Sequence, residues 1–137
     1  MLTRVGEAPW LQGWGITVLR VVAGIIFAVA AGQNLFAADF DELGGLLLAP
    51  VVMVGSLVEL LCGAALVVGL LTRWVSIVLA LLMLLNILAF HLPYGFFVEN
   101  EGFEYALLRL AVSATLALAG PGKVALDNVL ATQREAR

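Results

Sequence analysis

Residues 74–98 read WVSIVLALLMLLNILAFHLPYGFFV, twenty-five positions without an Asp, Glu, Lys or Arg. A helix needs about 20 mostly apolar residues to cross the roughly 30 Å of hydrocarbon in a bilayer. Three further apolar runs share a chain of 137 residues, whose hydrophobic content is 63% and whose mean hydropathy is +1.08. A soluble domain of this size hides one such helix at most. The sequence therefore specifies a single all-α domain, an integral membrane four-helix bundle, and its few polar side chains have to be interpreted against lipid.

The spacing predicts spans at about 14–36, 50–71, 74–92 and 103–119. Thr72-Arg73 is a very short link, so the second and third spans form an antiparallel hairpin. Pro93 stops the third span, and Gly120-Pro121-Gly122 stops the fourth. Pro50 suits the first helical position, where its missing N–H is no loss. That leaves Leu46 to Ala49 as a short interfacial or re-entrant piece. The tail beyond Gly122 is amphipathic at best and belongs at the surface. The first span also resembles a signal peptide, with Arg4 as its basic start and Ala28-Val29-Ala30 as a cleavage site. The length of the run and Arg20 inside it argue against that reading.

Charge sets the orientation. Arg4, Arg73, Lys123, Arg134 and Arg137 fall on one side if the spans alternate. Asp39, Asp41, Glu42, Glu99, Glu101 and Glu104 fall on the other, without a Lys or Arg. The positive-inside rule then places both termini in the cytoplasm. Trp10, Trp14 and Trp74 lie near the same boundary, as an interfacial aromatic belt requires.

Composition narrows the chemistry. Cys62 is the only cysteine and His91 the only histidine. One chain therefore offers neither an internal disulfide nor a pair of His ligands for a metal or haem. Neither tail carries the basic run of a nucleic-acid binder. Cys62 is expected to be inert, deep in lipid where a thiolate is disfavoured.

Three charges lie inside the spans: Arg20, Glu59 and Arg109. Each costs at least about 2.5–3.5 kcal/mol at a helix centre, so it must pair, hydrate or face the bundle interior. Small residues share their faces. Arg20, Gly24, Ala28 and Gly32 recur every four residues, as do Gly55, Glu59 and Gly63, and Arg109, Ser113 and Ala117. Small residues let helices approach closely in a membrane, so these three faces are expected to point at one another, with Glu59 bonded to Arg20 or Arg109. Three readings follow: a structural ion pair, a membrane-depth site for a polar ligand group or a proton, or snorkelling to an interface. A second constellation lies at the outer end. Gln33 and Asn34 close the first span, His91 closes the third, and Glu104 and Tyr105 open the fourth. With Arg109 they mark the outer half as the expected ligand site, with Glu59 as its floor and the 93–102 loop as a lid.

Glu59-Leu60-Leu61-Cys62-Gly63, Gly69-Leu70-Leu71-Thr72-Arg73, His91-Leu92-Pro93-Tyr94-Gly95-Phe96-Phe97, Gly102-Phe103-Glu104-Tyr105 and Gly120-Pro121-Gly122-Lys123 together resemble the DoxX family, in this order and spacing, over roughly Arg20 to Asp127. The resemblance implies a multi-pass protein of the bacterial cell inner membrane. DoxX-like proteins are linked to quinone-coupled sulfur oxidation, to quinone or catechol tolerance, and to complexes with soluble redox enzymes. The chain departs from the family pattern in its first span. Ala30-Ala31 stand where the family often has His-Gly, and Asn34 replaces a Lys in Gln33-Asn34-Leu35-Phe36. Arg109 stands where an apolar residue is usual, and from there it is placed to supply the lost positive charge.

Three functions fit these features. The first is a quinone-linked redox accessory, in which Arg20, Glu59, His91 and Arg109 hold the polar head of a quinone and electrons come from a partner. The second is a non-catalytic anchor or assembly factor for a soluble oxidoreductase. The third is a small-molecule or proton carrier built as a homo-oligomer, since one short chain without an internal repeat is a poor transporter.

Overall fold

A computed structural model describes residues 9–36 and 45–137. Arg4, Asp39, Asp41 and Glu42 lie outside the described residues. Among those described, the regular elements are helical throughout: α1 (Pro9–Phe36), α2 (Gly45–Val68), α3 (Thr72–Asn86), α4 (Glu104–Ala119) and α5 (Leu126–Glu135). A π-helical turn, Ile87–His91, and a 3-10 turn, Leu92–Tyr94, prolong α3.

Three segments are long and apolar enough to cross a membrane: Pro9–Phe36, Gly45–Val68 and Thr72–Tyr94. Their apolar side chains are mostly left uncovered. Val18, Val22, Ile25 and Val29 on α1, and Val51, Val54, Leu57 and Leu61 on α2, are exposed. An apolar surface of this extent requires lipid as its solvent. The expected fourth span, α4, has 16 residues. It rises roughly 24 Å at about 1.5 Å per residue, less than the hydrocarbon thickness.

One core receives Ala23 and Phe27 from α1, Leu66 from α2, Leu79 and Met83 from α3, and Leu116 from α4. The closest pairings are α1 with α2 and α3 with α4, whereas α1 and α4 touch lightly. Gly24 and Gly63 let the first pair close. A Cβ on Gly24 would stand 2.7 Å from the Gly63 carbonyl oxygen, and one on Gly63 would stand 2.8 Å from the Ala28 nitrogen. Gly32 and Gly55, on the same small-residue faces, have nothing among the described residues within 4 Å of such a Cβ. The close approach is thus confined to the middle of the two helices.

Two helix ends differ from expectation. α2 begins at Gly45, so Leu46 to Ala49 are its first turn and not a separate piece, and Pro50 lies inside the helix. Pro50 forfeits only the bond to the Leu46 carbonyl, one turn from the helix end, where continuation costs little compared with mid-helix. With that start, Glu59 lies roughly 21 Å along α2 at about 1.5 Å per residue. The third span does not stop cleanly at Pro93. The backbone widens first, and the Leu92 N–H bonds the Ile87 carbonyl five residues back. The wider turn gives room to the Pro93 ring, which in a regular α-helix collides with the carbonyl four residues earlier.

At one end the elements are tied together by polar contacts. Gly69 adopts φ +76° at the end of α2, and Leu71 adopts a left-handed φ of 48° before α3. Asp127 spans this turn, its two carboxylate oxygens accepting the Leu71 N–H at 2.7 Å and the Thr72 N–H at 2.9 Å. It therefore caps α3 from the other end of the chain, where a carboxylate also complements the helix dipole. The Asp127 N–H bonds the Gly69 carbonyl at 3.0 Å. Thr17 on α1 accepts the Lys123 N–H at 2.8 Å and donates to Gly13 at 2.9 Å. The N-terminus of α1, the α2–α3 turn and the C-terminus of α4 therefore share one end, and Arg73 and Lys123 lie there.

Candidate functional site

The polar centre of the bundle is an ion pair between Arg109 on α4 and Glu59 on α2. Glu59 is 7% exposed. The Arg109 guanidinium lies over the Phe27 ring of α1, 4.2 Å from its centroid, and 5.6 Å from that of Tyr105. Three helices thus converge on one cation. The carboxylate neutralises its charge, and the ring faces attract what remains. Ser113, one turn along α4, donates to the Arg109 carbonyl at 2.9 Å and keeps its own hydroxyl satisfied. Arg109 Nε is buried and has no hydrogen-bond partner among the described residues.

A small apolar cleft of about 60 Å³ opens beside the pair, between α1 and α4. Ala23, Ile26, Phe27, Tyr105, Leu108 and Arg109 are among its walls. It lies between two helices that touch lightly, and its wall residues Ile26 and Leu108 are exposed apolar side chains, so it adjoins the lipid-facing surface. The cleft presents an apolar lining, and the Arg109 Nε lies buried behind it.

Arg20 is not part of this centre. The three charged faces do not all meet, because the tight Gly24–Gly63 contact sets the register of α1 on α2 and carries Arg20 to the basic end. There it is 2% exposed, and its Nη2 donates to the Val124 carbonyl at 2.6 Å. Its Nε and Nη1 are buried without a hydrogen-bond partner among the described residues. Among the described residues, Asp127 is the carboxylate whose charge acts on it.

The outer-end residues are spread out. Gln33 and Asn34 are exposed at the end of α1. His91 is half-buried, and its Nδ1 lies 3.3 Å from the Asn86 carbonyl oxygen of its own helix. Glu104 is exposed and accepts the Val98 N–H at 3.2 Å. It therefore ties the preceding loop to the first turn of α4. That loop is closed on itself: Phe103 and Glu104 N–H groups bond the Gly95 and Phe96 carbonyls at 3.0 and 2.8 Å, and the Phe96 ring packs edge-on against Phe97 and Phe103. Of the eight residues singled out in the sequence, Glu59, Tyr105 and Arg109 are brought together. The sequence reading missed Phe27, whose position one turn from Gly24 and Ala23 was the available signal, and Asp127, for which local spacing carried none.

These features define an all-helical integral membrane protein with a buried ion pair beside a lipid-facing cleft. A DoxX family model matches residues 15–92, more than half of the chain, and the chain belongs to that family. The match takes in Arg20, Glu59 and His91 and stops before Arg109 and the Gly120–Lys123 turn, so it is shorter than the resemblance described above. No curated protein and no solved structure matches the chain.

Proposed function

We propose that this DoxX protein is a four-span bundle of the bacterial inner membrane, with both termini cytoplasmic, that holds the polar head of a quinone and serves a soluble oxidoreductase as its membrane accessory. The observation that supports this reading is the buried Arg109 Nε, without a hydrogen-bond partner among the described residues, behind an apolar cleft that adjoins the lipid-facing surface. A quinone carbonyl is an acceptor of the kind this donor lacks, and Phe27 and Tyr105 offer faces for the ring. The cleft takes the edge of the head group, and an isoprenoid tail lies along Ile26 and Leu108 in lipid. Arg109 binds and orients; Glu59 holds the guanidinium in place. Electrons come from the partner. In the four-span arrangement α4 crosses the hydrocarbon because the bilayer thins locally or because its flanking turns extend its reach.

A second reading is favoured by the completeness of the Arg109–Glu59 pair. With a carboxylate and two rings around it, Arg109 is compensated without any ligand, as it would be in a non-catalytic anchor. Thermal unfolding of the detergent-purified chain with short-chain ubiquinone and menaquinone analogues separates the two. The quinone reading requires a rise in Tm that is lost in the charge-free double variant Glu59→Gln/Arg109→Gln. If neither analogue shifts the parent protein, the anchor reading stands.

A further inference from the structure

We infer that the groove at the basic end of the helices binds an anionic phospholipid of the adjacent leaflet. This site is separate from the Arg109–Glu59 cleft and does not depend on the quinone reading. The groove is open, has a volume of about 1170 Å³, and runs between the first turns of α1 and the connection from α4 to α5. That exceeds the roughly 300–1,000 Å³ of an ordinary small-molecule pocket and has room for an acyl chain with its head group.

The groove grades from apolar to cationic. Ile16, Leu19 and Ala119 are its apolar lining, and α1 carries further exposed apolar side chains. At Gly15, nothing among the described residues lies within 4 Å of a Cβ position. Trp10, 57% exposed, and Lys123 stand at the mouth. Lys123 is held in place: its N–H bonds Gly13 at 3.1 Å and Thr17 at 2.8 Å, and its stem lies against Gly13, where a Cβ would stand 3.4 Å from Lys123 Cβ. Only the ammonium is left to project. Arg73 approaches the same connection from the other side, 3.4 Å from a Cβ position on Gly120.

Among the described residues, no carboxylate lines the groove. The nearby acid, Asp127, is engaged with the start of α3. A trough entered from lipid, with a Trp and a fixed cation at head-group level, is complementary to an acyl chain that carries a negative head. A zwitterionic head brings its own ammonium toward Lys123 and gains less.

The full chain in mild detergent tests this by thermal unfolding with added phosphatidylglycerol or phosphatidylcholine of identical acyl chains. The expected result is a Tm rise several degrees larger with phosphatidylglycerol, and a preference that weakens at high salt. Lys123→Gln should lose that preference yet fold normally, because the contacts that anchor Lys123 are made by its backbone and stem. Gly15→Leu, which fills that space with a better helix former, should reduce the phosphatidylglycerol shift. Equal shifts with both lipids in the parent, or an unchanged preference in either variant, overturns the proposal.

Discussion

The guanidinium of Arg20 fills the space that a side chain at Gly69 would need. The glycine makes that possible twice over, by lacking a Cβ and by accepting φ +76° at the end of α2. The buried cation and the α2–α3 turn are therefore one structural unit. Gly69→Ala should displace Arg20 from Val124 and add about 1–2 kcal/mol of left-handed strain for a non-glycine residue. Chemical unfolding of the purified variant measures it. A stability equal to the parent would show that Arg20 has room elsewhere.

Asp127 closes the same unit from the C-terminal side. Losing a helix cap costs about 0.5–2 kcal/mol, and Asp127→Ala also removes a carboxylate whose charge favours the buried Arg20. Stability should fall by at least the capping amount, and the Leu71 and Thr72 amides should exchange faster with deuterium. Asp127→Asn, which keeps one acceptor, should lose less. Unchanged exchange at both amides would mean that water replaces the cap without loss.

The Glu59–Arg109 pair is best judged by a double-mutant cycle. Breaking a buried pair by removing one partner typically costs about 3–5 kcal/mol, because the other charge is left uncompensated. Glu59→Leu and Arg109→Met should each destabilise strongly, and the double variant should recover most of the loss. Additive losses in the cycle would show that the two charges act independently.

Topology can be read with single cysteines on a Cys62→Ser background. A cysteine at Arg137 or Lys123 should label only from the cytoplasmic face, and one at Glu99 only from the opposite face. α3 begins and α4 ends at the same end of the molecule, so an even number of crossings separates Arg73 from Lys123. Labelling of positions 99 and 137 from one face would exclude α4 as a span.

Much of the architecture is legible in the chain because it depends on local chemistry. Uninterrupted apolar runs leave no option but helices in lipid, and Thr72-Arg73 and Gly120-Pro121-Gly122 are too short or too flexible to be anything but turns. Gly24 and Gly63 could be marked as a close contact because small residues at helical spacing have one common use in a membrane. The start of α2 is not legible, because a proline is a good first residue and spacing alone does not show that it is also tolerated one turn later.

The partners of the charges were decided elsewhere. Glu59, Arg20 and Arg109 were each marked as needing compensation by the cost of burying charge, which is a property of the residue and its span. Which arginine met Glu59 depended on the rotation and register of α1 against α2, and the Gly24–Gly63 contact settled these by steric fit. Asp127 capping Leu71 across 56 residues of sequence, and Phe27 beneath Arg109, are likewise products of packing. The sequence alone determined that the protein lies in a membrane and which of its groups are costly there. The tertiary structure decided how each cost is met, because pairing depends on distances between helices that no local pattern encodes.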